Sequence, residues 1–174
     1  MLRVAVFVLI SIVLAVLSRK SLRDPHVHGF YRFFAFESTL VVVLLVAPEW
    51  FHGAWSPRQI LSWVLLLGSA TLPAHGFYLL HTVGAPRGGV EDTTTLVTSG
   101  VYRYIRHPLY CSLLLGIWGA FLKRPSQFAG AVAVAGSLFT VATAKVEERE
   151  NLKKFGADYQ TYRSRTKMFV PFIA

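Results

Sequence analysis

The sequence has little of what a soluble domain normally carries. Only 16% of its 174 residues are charged, against about 25% in an average soluble protein, and 53% are apolar. Acidic residues are scarce, with 9 Asp and Glu against 18 Lys and Arg. A basic excess can indicate nucleic-acid binding, but a mean hydropathy of +0.47 leaves too little polar surface for that. The composition therefore favours membrane lipids, and not nucleic acid, as the partner of the basic residues.

Cysteine is nearly absent, because Cys111 is the single one. One thiol excludes an internal disulfide framework and a cysteine-rich zinc site. His26 and His28 lie two residues apart with no third ligand at a suitable spacing, so no metal is expected. The sequence shows no internal repeat, and we predict a single domain over 1–174.

What the sequence has in quantity is long apolar runs. A helix needs about 20 apolar residues to cross a bilayer, and five runs reach or approach that length: 4–17, 33–46, 60–80, 109–122 and 128–144. The short gap between the last two predicts an antiparallel helical hairpin. We therefore predict an all-α polytopic membrane protein with about five transmembrane helices. Three N-terminal spans occupy 1–82, and a loop, the hairpin and a C-terminal amphipathic helix occupy 83–174.

The positions of Lys and Arg predict the orientation of these spans. Basic residues crowd the first connection, at 19–32, and the tail after 145, which predicts that both are cytoplasmic. Alternation then places the polar stretch 83–107 on the cytoplasmic side as well, and the turn with Lys123 and Arg124 outside, against the rule. Because Arg3 precedes the first run, a cleaved signal peptide is the alternative to a retained span there, although no small-residue cleavage pattern follows.

Two polar clusters lie at the membrane boundary. Arg106, His107 and Tyr110 precede or begin the fourth run, and Glu147 and Glu148 follow the fifth. The hairpin brings both clusters to the same membrane face, where Arg suits a carboxylate and Glu suits an ammonium group or sugar hydroxyls. The facing clusters predict a site for a zwitterionic small molecule. An interfacial anchor and a structural salt bridge are the alternatives.

The same residues carry a family resemblance. The segment 96–102 (LVTSGVY), the segment 106–110 (RHPLY), the pair Glu147 and Glu148, the dipeptide 155–156 (FG), and Tyr159 with Tyr162 occur in this order. Over roughly its C-terminal half the chain resembles the isoprenylcysteine carboxyl methyltransferase family. The Arg-His-Pro piece alone also occurs in phospholipid N-methyltransferases and in some membrane steroid reductases.

The resemblance implies an integral membrane enzyme that binds S-adenosylmethionine between the hairpin and the tail, with its active site on the cytoplasmic side. Carried over residue by residue, the cofactor site comprises Thr98, Gly100, Tyr102, Arg106, His107, Tyr110, Glu147 and Glu148. The implied catalytic residues are Arg106, His107 and Glu148. The implied substrate is a small lipophilic acceptor that enters from the bilayer.

The acceptor stays open at this point. Eukaryotic members of the family have a basic residue four positions before the first glutamate, where this chain has Thr143. The acceptor is thus either a carboxylate, as in isoprenylcysteine methylation, or an amine or phospholipid headgroup, or a thiol. An NADPH-linked membrane reductase and a non-catalytic membrane scaffold are the alternatives to a methyltransferase.

Overall fold

The fold, taken from a computed structural model, is described for residues 1–53, 55–87 and 93–171. All five apolar runs are helical. The helices are α1 (Leu2–Ser18), α2 (His28–Val46), α3 (Pro57–Thr82), α4 (Pro108–Phe121) and α5 (Gln127–Arg165). Three helical segments, containing α2, α3 and α5, are long and apolar enough to cross a membrane, while α1 and α4 are apolar but shorter, with 17 and 14 residues. The prediction of an all-α polytopic membrane protein is confirmed.

Local sequence explains where the helices of the predicted hairpin begin. Pro108 is the first residue of α4, a position where its missing N–H costs no hydrogen bond. Ser126 caps α5 by accepting a hydrogen bond from the Ala129 backbone N–H, which satisfies one of the free donors at a helix start. The two helices are joined only by residues 122–126 and pack against each other, as the sequence predicted.

Small residues let these helices approach closely. Gly116 of α4 faces Ser69 of α3, where an added Cβ would lie 2.8 Å from the serine oxygen. Gly136 of α5 faces Ile117 of α4 and Ser38 of α2. In lipid, such close packing replaces the hydrophobic drive that brings helices together in water. The bundle therefore depends on a few positions that tolerate no side chain.

The turn between α4 and α5 explains how two basic residues are accommodated at that end. Lys123 is 1% exposed. Its Nζ lies 3.0 Å from Gln59 Oε1 and 3.5 Å from the centroid of the Trp63 ring, and cations bind favourably over such a ring. Arg124 lies 3.6 Å from a Glu49 carboxylate oxygen. Both basic side chains thus have polar or aromatic partners within the protein, and that of Arg124 is a carboxylate.

At the end of the bundle opposite the α4–α5 turn, the first connection lies beside the tail. The backbone N–H of His28 donates to Glu150 Oε1 at 2.9 Å, and His28 Nδ1 lies 2.5 Å from Glu150 Oε2. The start of α2 is therefore fixed to α5 just beyond Ala144, where its apolar run ends. The first connection and the tail, which the basic residues predicted to share one side of the membrane, do lie together. Their cytoplasmic location stays a prediction.

The C-terminal amphipathic segment is divided between two helices that meet at Gly156. It continues α5 without a gap as far as Gly156, whose φ of 55° and ψ of −126° are not helical. Glycine adopts this conformation at little cost because it lacks Cβ. Residues 151–155 therefore belong to the long helix, and the residues from 157 to Arg165 turn away from its axis.

We expect Gly136→Ala to destabilise the protein and Gly130→Ala to leave it unchanged or more stable. A Cβ at 136 would lie 2.6 Å from Ile117 Cδ1 and 2.8 Å from Ser38 Cβ, whereas at 130 the nearest atom is 3.5 Å away. Overpacking costs about 1–3 kcal/mol, while Gly to Ala in an open helix position gains up to about 1 kcal/mol. Thermal unfolding in detergent measures both, and equal melting temperatures for the two variants would contradict this packing.

Candidate functional site

Short backbone pairing joins the segment before α4 to the segment after α5. The backbone N–H of Arg106 donates to the Lys167 carbonyl at 2.8 Å, and that of His107 donates to the Met168 carbonyl at 3.2 Å. Ile105 and Lys167 form a parallel bridge. The end of the tail, at residues 167–168, is therefore held against the segment just before α4, directly beside the predicted site residues.

An ion pair between Arg106 and Glu148 lies at the centre of this junction. Arg106 Nε donates to Glu148 Oε1 at 2.7 Å, with the two side chains 9% and 5% exposed. Arg106 Nη1 donates to the carbonyl oxygens of Arg163 and Thr166, and Arg163 Nε lies 3.4 Å from Glu148 Oε2. The structural salt bridge that the sequence allowed is thus present, and it also connects α5 to the end of the tail.

The partners of Glu148 keep it ionised. Burial alone would raise the pKa of this carboxyl, but His107 and Arg106 stabilise its charged form and lower the pKa from its ordinary 4.5 to about 2. Because the pKa in the folded state is the lower one, the stabilisation is fully present above pH 4.5 and is lost as the pH falls towards 2. The ion pair therefore persists throughout the physiological pH range.

His107 lies between the two glutamates. Its Nδ1 is 4.0 Å from Glu147 Oε1 and its Nε2 is 3.6 Å from Glu148 Oε1. Its ring stacks on Tyr110 with centroids 5.5 Å apart, and the Tyr110 hydroxyl donates to Glu147 Oε2. Four of the residues predicted from sequence, from α4 and α5, thus form one connected polar cluster.

Part of this cluster lines a cavity of about 70 Å³. Tyr102, Arg106, His107, Tyr110 and Glu147 were predicted there. Residues that the prediction did not assign to the site also line it, namely Leu80, Thr93, Leu96, Val97, Pro108, Leu109, Asn151, Phe155, Tyr159 and Tyr162. Phe155, Tyr159 and Tyr162 belong to the motif that carries the family resemblance, which was the available signal for them. Leu96, Val97, Pro108 and Leu109 belong to the segments 96–102 and 106–110 of the same motif, whereas Leu80, Thr93 and Asn151 lie outside it.

Two buried polar groups of the lining residues have no hydrogen-bond partner in the described structure. They are the Tyr159 hydroxyl, on a side chain that is 2% exposed, and His107 Nε2, on one that is 4% exposed. Buried polar atoms are almost always hydrogen-bonded, and each of these groups has a polar neighbour: Glu148 Oε1 lies 3.6 Å from His107 Nε2, and Asn151 lies beside the Tyr159 hydroxyl.

The remaining predicted residues lie beside the cavity. Thr98 lines an adjoining open depression of about 750 Å³, together with Thr95, Leu96, Arg103, Asp158, Thr161, Tyr162, Arg165 and Thr166. Gly100 has a φ of 59°, and a Cβ there would lie 2.6 Å from Leu79 Cδ1, so it permits close packing on α3. Glu148 lies behind the cavity wall, on Arg106.

Across residues 1–53, 55–87 and 93–171, no three His, Cys, Asp or Glu residues are grouped closely enough to hold a metal ion.

We expect Arg106→Lys to destabilise the tail. A lysine ammonium could reach Glu148 or the carbonyls of Arg163 and Thr166, but its single nitrogen cannot reproduce the fork of a guanidinium. Leaving buried partners unsatisfied costs about 1–3 kcal/mol. We expect a lower melting temperature and faster hydrogen exchange at the backbone amides of residues 163–168. The control is Arg103→Lys, at an exposed arginine, and exchange as slow as wild type in Arg106→Lys would refute this role.

Known proteins match this chain over the region that contains Arg106, His107, Tyr110, Glu147 and Glu148. A family model described as phospholipid methyltransferase matches residues 57–158. Methanethiol S-methyltransferase 2 of Bradyrhizobium diazoefficiens is 32% identical over 138 residues, covering 77% of this chain and 48% of that protein. The cobalt-zinc-cadmium resistance protein CzcN of Cupriavidus metallidurans is 41% identical over 141 residues, covering 78% of this chain and 62% of that protein.

The resemblance to isoprenylcysteine carboxyl methyltransferases is confirmed. The human protein-S-isoprenylcysteine O-methyltransferase is 34% identical over 85 residues, covering 48% of this chain and 30% of that protein. The chain spans about half the length of the curated relatives it matches. No solved structure matches it significantly. The family match covers more than half of the chain and contains most of the cavity-lining residues, and the chain therefore belongs to the phospholipid methyltransferase family.

Proposed function

We propose that the protein transfers a methyl group from S-adenosylmethionine to a small lipophilic acceptor, and that the reaction takes place in the cavity between α4, α5 and the tail. The observation that carries this proposal is the polar cavity lined by His107, Tyr110 and Glu147, inside the segment that matches the family model. Five relatives named methanethiol S-methyltransferase support the reaction class.

The residues present suit the donor. Tyrosine rings can face a sulfonium cation, and the Glu147 carboxylate can pair with the ammonium of the methionine end. Small-molecule pockets usually measure about 300–1,000 Å³, so the donor needs more room than the cavity of about 70 Å³ provides. The open depression adjoins the cavity at Leu96 and Tyr162, which line both. We therefore infer that the donor extends into the depression, where Thr98 lies.

When bound, S-adenosylmethionine supplies an electrophilic methyl group on a sulfonium. The chain's own contribution is alignment of the acceptor and exclusion of water. Phe155, Tyr159 and Tyr162 of the tail cover the cavity with aromatic rings. Such a transfer needs no covalent enzyme intermediate, and Cys111 is not among the residues that line the cavity.

The charges around the cavity favour an acceptor that must lose a proton. Among the described residues, Arg106 is the one arginine or lysine that lines the cavity, and its Nε and Nη1 are already bonded to Glu148 and to backbone carbonyls. A carboxylate acceptor therefore finds no readily available counterion. A thiol instead needs a base, and His107 can accept its proton because Glu147 and Glu148 offset the charge gained. We propose a small thiol as the acceptor, in agreement with the names of the methanethiol relatives.

We place the reaction on the cytoplasmic side. The cavity lies at the end of the bundle that carries the first connection and the basic tail, and short loops rich in Lys and Arg are typically cytoplasmic. In the opposite turn, Arg124 pairs with Glu49, and Lys123 is buried with its Nζ on Gln59, so these two basic residues weigh less against this orientation.

We expect calorimetry on detergent-purified protein to detect binding of S-adenosylmethionine and S-adenosylhomocysteine, with no binding of NADPH. Glu147→Gln should weaken binding at least about tenfold because it removes a charged partner, worth roughly 1.5–3 kcal/mol. Glu150→Gln is the control, since Glu150 pairs with His28 outside the cavity. Binding of NADPH alone would instead support a reductase. If well-folded protein binds none of the three, the methyltransferase proposal fails and a scaffold role is favoured.

A methylation assay with small thiols, amines and lipophilic carboxylates separates the acceptor classes. We expect thiols to be methylated most efficiently, and His107→Gln to lower kcat with the thiol by about 10²-fold or more, as loss of a general base does. Donor binding by the variant, measured separately, shows whether the cavity is intact. Preferential methylation of a carboxylate, unaffected by His107→Gln, would rule out the thiol assignment.

A further inference from the structure

The part of α5 beyond the apolar run has two opposite faces. Glu147, Asn151 and Phe155 line the cavity and follow one another at intervals of four residues. Lys145, Arg149 and Lys153, here called the basic stripe, repeat at the same interval and are all exposed. Two residues of offset correspond to about 200° around a helix. The basic stripe therefore lies on the side of α5 directly opposite the cavity.

Acidic and basic side chains are segregated between these faces. Glu147 accepts a hydrogen bond from Tyr110, Glu148 pairs with Arg106, and Glu150 pairs with His28. Each carboxylate of this segment is thus engaged by another element of the bundle. In the part of the chain that the structure describes, Lys145 and Arg149 form no salt bridge. The outward charge of α5 at Lys145 and Arg149 is therefore positive and uncompensated, while Lys153 lies near enough to Glu150 to interact with its carboxylate.

The depth of the basic stripe identifies its partner. It begins at the residue after Ala144, which is fully buried and ends the apolar run, so it lies where a membrane-spanning helix meets the headgroup layer. Basic side chains at this depth attract anionic lipids. An acidic protein would have to displace lipid to reach the same face, whereas lipid phosphates are already beside it.

We propose that the basic stripe is a binding site for the phosphate headgroups of anionic phospholipids. The lipid would contact α5 from outside the bundle, behind the helix face that carries Glu147 and Asn151. This site is independent of the donor and acceptor, and its test measures lipid retention without any methyl transfer. Failure of the proposed reaction therefore leaves it unaffected.

Native mass spectrometry of protein released from nanodiscs tests the site. The discs contain equal amounts of phosphatidylcholine and phosphatidylglycerol, and the retained lipids are counted. Since each basic residue near the surface contributes about 1 kcal/mol, we expect wild type to retain phosphatidylglycerol at least about fivefold over phosphatidylcholine. The triple variant Lys145→Gln, Arg149→Gln, Lys153→Gln should lose this preference, and the single variant Arg149→Gln should reduce it.

The matched control neutralises three exposed basic residues of the first connection, which lies at the same end of the bundle: Arg19→Gln, Lys20→Gln and Arg23→Gln. This control should keep the preference for phosphatidylglycerol. Thermal unfolding checks that all variants are folded, and the single variant serves if the triple variant is not. An unchanged preference in the stripe variants, an equal loss in the control, or displacement of the lipid by inorganic phosphate would each overturn the proposal.

Discussion

The arrangement of the site depends on the ion pair between Arg106 and Glu148. Arg106 joins the segment before α4 to three points beyond Ala144. Its Nε binds the Glu148 carboxylate, its Nη1 binds the carbonyls of Arg163 and Thr166, and its backbone pairs with Lys167. Burying such a pair stabilises a protein only when its remaining donors and acceptors are satisfied. Here the carbonyls of Arg163 and Thr166 accept from Arg106 Nη1, and the Arg163 side chain lies beside the second Glu148 oxygen. The pair therefore fixes which segments form the cavity wall.

Close helix packing supplies the frame on which this junction is built. Gly116 and Gly136 hold α4 against α3, and α5 against α2 and α4. At the far end of the bundle, the buried Lys123 ties the hairpin turn to Gln59 and Trp63 of α3. The two ends of the hairpin are therefore fixed by different means: a buried cation at one end, and a network of charge-assisted hydrogen bonds at the other.

The fold could be predicted from sequence to a large extent because apolar runs of membrane length have few structural alternatives. The cluster of Arg106, His107, Tyr110 and Glu147 was also predictable, since a hairpin necessarily brings the start of α4 and the end of α5 together. Thr98 and Gly100 show the limit. They belong to the same motif, yet Thr98 lines the adjoining depression and Gly100 packs on α3 at the start of a short 3₁₀ helix, Gly100–Arg103. Such local turns leave no periodic signal. Tyr159 and Asn151 reach the cavity only because α5 continues beyond the membrane.

The break at Gly156 separates two parts of α5 that differ in the free energy needed to open them. Had the helix continued straight, its last nine residues would have extended about 14 Å further along the axis, away from the cavity that Tyr159 and Tyr162 now cover. Releasing this short segment breaks the bond from Tyr162 to the Tyr102 carbonyl, the bonds from Arg106 to Arg163 and Thr166, and the backbone pairing at Lys167 and Met168. None of these bonds involves the apolar part of a helix. Local opening of the cavity therefore costs far less than unfolding a span, and a ligand can exchange while the membrane-embedded bundle stays folded.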